Sequence, residues 1–275
     1  MNKILTGALL LLFSSSAAAQ TPRDSIAFAT AQWRTADLGG GAECRYAQID
    51  MFGSRQSISV ATYPGRRFTT SIVHLDRRAE STSDLGKIAV NGSYFNVKTF
   101  EPVTFVLLDR KIVGRTTPEE AFRTNGVIAF KDRKGRRMEI FPCDTTQYAD
   151  VARRYRSALA AGPVLIDGGK VVEYTSGSSF YTRRHPRTLI GKRADGTVVM
   201  AVIDGRFKGQ GDGATIAETA YIARQLGLTE ALNLDGGGSS TLWTAQEGVL
   251  NHPYDNRRFD HEGERGVPNC IVVRR

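Results

Sequence analysis

The chain predicts an α+β fold, a mixed, mainly antiparallel sheet with a few flanking helices in a single domain. Three observations lead there. Short apolar runs recur along the sequence, most of them separated by Gly, Pro, Asn or Asp. Only two stretches have helical composition closed by a stop signal. No repeating strand–helix–strand pattern is visible, which argues against a doubly wound dinucleotide-binding sheet. The 275 residues fit one large domain, or two small ones, with a sizeable core. A make-up of 41% hydrophobic and 24% charged residues excludes a disordered, collagen-like or disulfide-scaffold chain.

Residues 1–19 stand apart from the fold. Lys3 supplies a positive start, 4–13 an apolar run, and Ala17-Ala18-Ala19 a small-residue cleavage site before Gln20. This is the pattern of a secretory signal peptide. The run is about half the ~20 residues that cross a bilayer. The expectation is therefore an exported protein, periplasmic or secreted, without stable membrane insertion, whose domain occupies 20–275.

Strands are expected at 57–62, 87–90, 103–108, 127–130 and 138–141. An alanine- and arginine-rich stretch at 150–161 reads as a helix stopped by Gly162-Pro163, and 164–166 as a short strand. Segments 188–192 and 197–203 form a hairpin around Asp195-Gly196. A second helix spans 215–226: Thr215 caps it, Glu218 completes a capping box, and Gly227 ends it. Strands at 231–234 and 267–273 close the chain.

Cys44, Cys143 and Cys270 allow at most one internal disulfide, with all three pairings open, or three separate buried thiols. His74, His185, His252 and His261 are scattered, and no Cys-x-x-Cys occurs, which argues against a zinc or redox enzyme. The net charge of +9 rests largely on arginine, suited to bidentate contact with phosphate or carboxylate. No nucleic-acid module is present, so nucleic acid is not an expected partner.

The most informative segment is Asn233-Leu234-Asp235-Gly236-Gly237-Gly238-Ser239-Ser240. Three successive glycines cost entropy and fill no core, so they make sense where the chain turns sharply or something approaches it closely. Their amides and Ser239 offer an anion-binding concavity. The spacing fits neither a Walker loop nor a Gly-x-Ser-x-Gly elbow. A hairpin over 188–203 would bring Arg187 and Asp204-Gly205-Arg206 to one sheet end, where an anion relieves the repulsion of paired guanidiniums. His185 reads as a turn residue, and capping accounts for Glu218. Asn91-Gly92-Ser93-Tyr94-Phe95 is a turn that could also form a sugar platform. Glu264-Arg265 reads as a local ion pair or a further phosphate contact.

In this order, with His185-Pro186-Arg187-Thr188 and Gly162-Pro163, these motifs resemble the phosphodiester glycosidase family over about 69–273. Bacterial members are described as exopolysaccharide biosynthesis proteins. Ser93 stands where the family often has a second glycine, and Gly266 interrupts its usual Glu-Arg-Pro run. The resemblance implies a hydrolase that cleaves the glycosidic C–O bond of a sugar-1-phosphodiester or related anionic glycan in the cell envelope. Asp235 would be nucleophile or base, with Asp204 and Glu218 as competitors. Arg187, Arg206 and Arg265 would hold phosphate, Gly236, Gly237, Gly238 and Ser239 would donate amides, and Asn91 and Asn233 would orient the sugar. No cofactor is required on this reading. The alternatives are a non-catalytic glycan-binding or export-assembly protein, and a phosphodiesterase using Ca²⁺ or Mg²⁺ held by Asp204, Asp235 and Asn233.

Overall fold

A computed structural model describes residues 34–36, 44–51, 56–74 and 86–274; the leader expected at 1–19 lies outside them. The chain begins with β1 (Arg34–Ala36), β2 (Cys44–Met51), β3 (Gln56–Pro64), β4 (Thr69–His74) and β5 (Ile88–Asn91). Next come β6 (Val106–Leu108), β7 (Lys111–Gly114), β8 (Gly126–Phe130), β9 (Met138–Pro142), helix α1 (Tyr148–Arg154) and β10 (Ser157–Ala161). The third part holds β11 (Val164–Asp167), β12 (Lys170–Val171), α2 (Ser179–Thr182), β13 (Arg187–Lys192) and β14 (Thr197–Ile203). Helix α3 (Ile216–Gln225), β15 (Glu230–Asn233), β16 (Leu242–Thr244), β17 (Gly248–Val249) and β18 (Asn269–Arg274) complete it.

The strands form three sheets, of order β1-β2-β3-β14-β13-β15-β11-β12, β7-β6-β10-β8-β9 and β17-β16-β5-β18-β4. Among the described residues every pairing is antiparallel, so the sheets are less mixed than expected. The period-2 alternation of side chains explains the layering. In β14, Val198, Met200 and Val202 face a core shared with Ile88 and Ile271 of one sheet and Ile128 and Leu159 of another. Val199, Ala201 and Ile203 face the opposite way, against Ile216, Ala220 and Ala223 of α3. Thr215 and Glu218 form the expected capping box at the start of that helix.

The expected helix at 150–161 is half right. It stops at Arg154, where Tyr155 turns extended, and Ser157–Ala161 becomes a strand between β6 and β8. Alanine has the highest helix propensity, but propensity is a weak determinant, and burial on both faces overrides it here. Leu159 and Ala161 enter the three-sheet core, whereas Ala158 and Ala160 pack with Val151 of α1 and Phe105. The strand expected at 103–108 shortens to Val106–Leu108. Cys143 and Cys270 are both buried and free.

Three strand ends meet at one place. Arg187 of β13 lies opposite Ile203 of β14, and Leu189 lies opposite Asn233 of β15. The stretch entering β13 and those leaving β14 and β15 therefore share one end of the large sheet. Removing the Leu159 side chain should cost about 2–5 kcal/mol by opening a cavity in the shared core. Urea unfolding of Leu159→Ala measures this, and an unchanged midpoint would contradict the strand placement.

Candidate active site at the glycine-rich loop

The site is built outward from Asn91, at the end of β5 and buried. Its Nδ2 donates to the Asp235 carbonyl at 2.7 Å, while its Oδ1 accepts from Thr188 Oγ1 at 2.8 Å and from the Thr241 amide at 3.1 Å. The Asp235 amide donates back to the Gly92 carbonyl at 3.0 Å. Asn91 thus sews the third sheet, β13 and the Gly-rich loop together, with both polar ends of its side chain occupied.

Asn233 is equally buried. Its Nδ2 donates to Gly162 O at 2.9 Å, to Leu234 O at 2.8 Å and to Tyr94 Oη at 3.2 Å. Its Oδ1 is buried without a partner among the described residues, as are the Ser239, Ser240 and Thr241 hydroxyls. Buried polar atoms are nearly always paired, so these four are exceptions in the network around the loop.

Three successive glycines have a local cause. Gly237 takes φ +64°, and a Cβ there would stand 3.1 Å from Arg206 Nη2. A Cβ on Gly238 would lie 2.4 Å from Arg265 Nη2. The loop is bare so that two guanidiniums can rest on it. The amide cradle expected from the sequence narrows accordingly. Gly236 N donates to Asp235 Oδ1 at 2.9 Å, Gly237 N to Pro186 O at 2.9 Å, and Ser239 N to Gly236 O at 3.3 Å. Gly238 alone in this run keeps an amide without an acceptor among the described residues.

Asp235 is half-buried at the head of this loop. Burial raises its pKa from 3.8 to about 6, while Ser239, Arg123, the Gly236 amide and Arg265 pull it down. The Ser239 hydroxyl stands close enough to act on the carboxylate but makes no hydrogen bond of regular geometry. A carboxyl near pH 6 changes charge in the range useful for proton transfer or attack.

The cations differ in kind. Arg187 is 2% exposed and is held by backbone carbonyls: Nε donates to Ala214 O at 2.8 Å, and Nη2 to Phe180 O at 2.6 Å and Arg183 O at 3.2 Å. Burial, then repulsion from Arg123 and Arg206, lowers its pKa to about 10. Its side chain therefore fixes the approach to β13 and adds positive potential from behind the cleft. Arg206 is exposed, takes φ +68°, and lies over the Tyr254 ring at 5.1 Å. Arg265 is paired with Asp255, Nε to Oδ1 at 3.0 Å.

Two other carboxylates proposed from sequence are committed to structure. Asp204, 1% exposed, accepts from the His252 amide at 2.8 Å and from Asn251 Nδ2 at 3.4 Å on Oδ1, while Oδ2 meets His252 Nδ1 at 2.8 Å. It anchors the segment that carries Tyr254, Asp255 and Arg265. Glu218 accepts from the Thr215 amide at 2.9 Å through Oε2 and pairs with Arg184 through Oε1. His185 is half-buried, and burial followed by Arg187 and Arg206 lowers its pKa. Among the described residues no group of three or more His, Cys, Asp or Glu side chains could hold a metal ion.

Sequence reasoning missed Arg123. Its guanidinium stacks on the Tyr94 ring at 4.0 Å, its Nε pairs with Glu120 at 2.6 Å, and its charge acts on Asp235. Tyr94, buried, donates to Gly162 O at 2.5 Å, and burial pushes its phenol well above the ordinary range while Arg123 opposes. No motif marks Arg123. Only the aromatic cluster Phe122, Phe180 and Tyr181 around it carries a faint signal.

The chain that carries this carboxylate, bare loop and guanidiniums has relatives. The phosphodiester glycosidase family profile matches residues 86–274, and the chain belongs to that family. The catalytic domain of zebrafish N-acetylglucosamine-1-phosphodiester alpha-N-acetylglucosaminidase, auto-inhibited by its pro-peptide, superposes with a TM-score of 0.61 at 15% identity, over 89% of this chain and 87% of that one. A hypothetical protein from Synechocystis superposes with a TM-score of 0.58 at 16% identity, over 84% of this chain and 62% of that one. The uncharacterized SPbeta prophage-derived protein YomE of Bacillus subtilis strain 168 is 38% identical over 90 residues, 33% of this chain and 13% of YomE. The chain thus spans a small part of that curated relative.

A carboxyl whose folded pKa lies above its ordinary value favours the protonated protein. That contribution is full below about 3.8 and is lost as pH rises through about 6. Asp235→Asn should therefore melt higher than the native protein at pH 8, by at most about 3 kcal/mol, and nearly equal to it at pH 4. A difference that does not change with pH would contradict the raised pKa.

Proposed function

We propose that the protein hydrolyses the glycosidic C–O bond of sugar-1-phosphodiesters, with Asp235 as nucleophile or general base. The observation that carries this reading is the half-buried Asp235, raised toward pH 6, on a loop onto which Arg206 and Arg265 fold. The phosphodiester would lie against these two guanidiniums, with Arg123 close by and the Gly238 amide as a further donor. A sugar phosphodiester leaves as a phosphate monoester, whose departing oxygen needs little protonation. One carboxylate and strong charge stabilisation then replace the two carboxyl groups of ordinary glycosidases. Ionised Asp235 either attacks the anomeric carbon, giving a glycosyl ester that water then hydrolyses, or takes a proton from a water that attacks that carbon; in both cases the C–O bond breaks with its electron pair going to the phosphate oxygen. The products are a reducing sugar and a phosphomonoester.

Arg187 and Asn91 serve as supports in this scheme, because their polar groups hold backbone and loop. Asn233 and Ser239, whose Oδ1 and hydroxyl have no regular hydrogen bond among the described residues, are assigned to orient the sugar. Asp204 and Glu218 act through the elements they tie. The reaction requires no metal. The setting is the cell envelope, consistent with the leader-like 1–19 and with exopolysaccharide or other anionic glycans as substrates. No helix among the described residues is long and apolar enough to cross a membrane.

Incubation with UDP-N-acetylglucosamine in ¹⁸O-water tests the reaction directly. Label should appear on the released sugar; label on phosphorus would overturn the reading in favour of P–O cleavage, and a chelator should leave the rate unchanged. Asp235→Asn should lose about 10²–10⁴-fold in turnover. The native rate should rise with pH through about 6, as Asp235 ionises. A fall over that range would assign the carboxyl the role of acid instead.

A further inference from the structure

A second cavity lies at the other end of the β13–β14 hairpin, roughly 20 Å from the cleft by strand rise. It measures about 310 Å³ and is walled by the turns joining β3 to β4, β8 to β9, and β13 to β14, with Thr229 and Glu230 at the start of β15. Close backbone contacts lock these turns together. Gly65 N donates to Gly196 O at 3.2 Å, and Lys192 Nζ donates to Met138 O at 3.0 Å. A Cβ on Gly135, at φ +56°, would stand 1.6 Å from the Thr70 carbonyl oxygen, so only glycine lets that turn seat against β4.

The turns carry Arg66, Arg136, Arg137, Lys192 and Arg193 into the cavity wall, against Glu139, Asp195 and Glu230. All three acids are committed. Glu230 pairs with Lys192 at 3.0 Å, Glu139 with Lys131 at 2.8 Å, and Asp195 Oδ1 accepts from the Thr197 amide at 2.8 Å. Arg193 Nε is taken by the Leu226 carbonyl at 2.9 Å. Arg66, Arg136 and Arg137 are exposed and make no hydrogen bond or ion pair among the described residues. Three uncompensated guanidiniums held around a concavity by rigid backbone create a positive field that an anion relieves.

We propose that this cavity binds the phosphate or carboxylate groups of an acidic polysaccharide, at a site separate from the cleft. Among the described residues the wall holds no aromatic ring, which argues against a single-stranded nucleic acid, whose bases need stacking platforms. A polymer is favoured over a lone ion because three guanidiniums on two turns, Arg66 on one and Arg136 and Arg137 on the other, present several anion contacts. The binding stands on the cavity alone; its use as an exosite for a polymeric substrate rests on the hydrolase reading.

Calorimetric titration with oligogalacturonate at low salt (about 50 mM) tests the site, with an oligodeoxynucleotide of equal charge as the competing probe. The triple variant Arg66→Ala/Arg136→Ala/Arg137→Ala should bind oligogalacturonate at least about tenfold more weakly and with a shallower salt dependence. Arg136→Glu, one exposed side chain, should weaken it in the same direction. Hydrolysis of UDP-N-acetylglucosamine should be unchanged in both, so failure here is separable from failure of the catalytic assignment. No binding by the native protein, unchanged affinity in the variants, or tighter binding of the oligodeoxynucleotide would each overturn the proposal.

Discussion

The carboxamide of Asn91 is the contact on which the cleft depends. It reaches from the end of β5 to Thr188 on β13 and to the Asp235 carbonyl and Thr241 amide on the Gly-rich loop. Asn91, Thr188 and the Gly-rich loop come from three distant parts of the chain, and the group that joins them is buried, where hydrogen bonds are held tightly and an unpaired group is costly. Asn233 performs a parallel task for Gly162 and Leu234. Two asparagines thus hold the loop in register so that Asp235 stands at its head.

Around that frame the charges are divided between support and surface. Arg187 is buried on carbonyls and cannot swing toward a ligand, whereas Arg206 and Arg265 lie against the glycines beside Asp235. Burial of Asp235 opposes its ionisation, and the surrounding cations and the Gly236 amide favour it. The balance leaves a carboxyl that can exist in either form near neutrality. That is a property of the whole arrangement and not of the aspartate.

Much of the architecture was legible because it rests on local rules. The hairpin over β13 and β14, its Asp-Gly turn and the capped helix α3 stand where alternation and capping place them. From the hairpin alone, Arg187 and Asp204-Gly205-Arg206 belong at one sheet end, as the register confirms. The strand Ser157–Ala161 was hidden because a run of alanines has no alternation to read, and its conformation is set by neighbours on both faces. The glycines were legible as a place of close approach, but the approaching groups are the protein's own guanidiniums. Nor can a sequence show that Asp204 and Glu218 spend their oxygens on backbone and cap, or that Arg123 stacks on Tyr94.

Asp204 is the root of the stretch that returns Arg265 to the loop, fastened there through Asn251 and His252. From His252 to Arg265 the chain forms no strand among the described residues; Pro253 and Gly263 are buried and Phe259 stacks on His252, while 255–258, 261 and 262 are exposed. Such a stretch can change length and chemistry while its two attachments keep the charge in place. Divergence in what the cleft accepts can therefore accumulate on this span without disturbing the machinery beneath it.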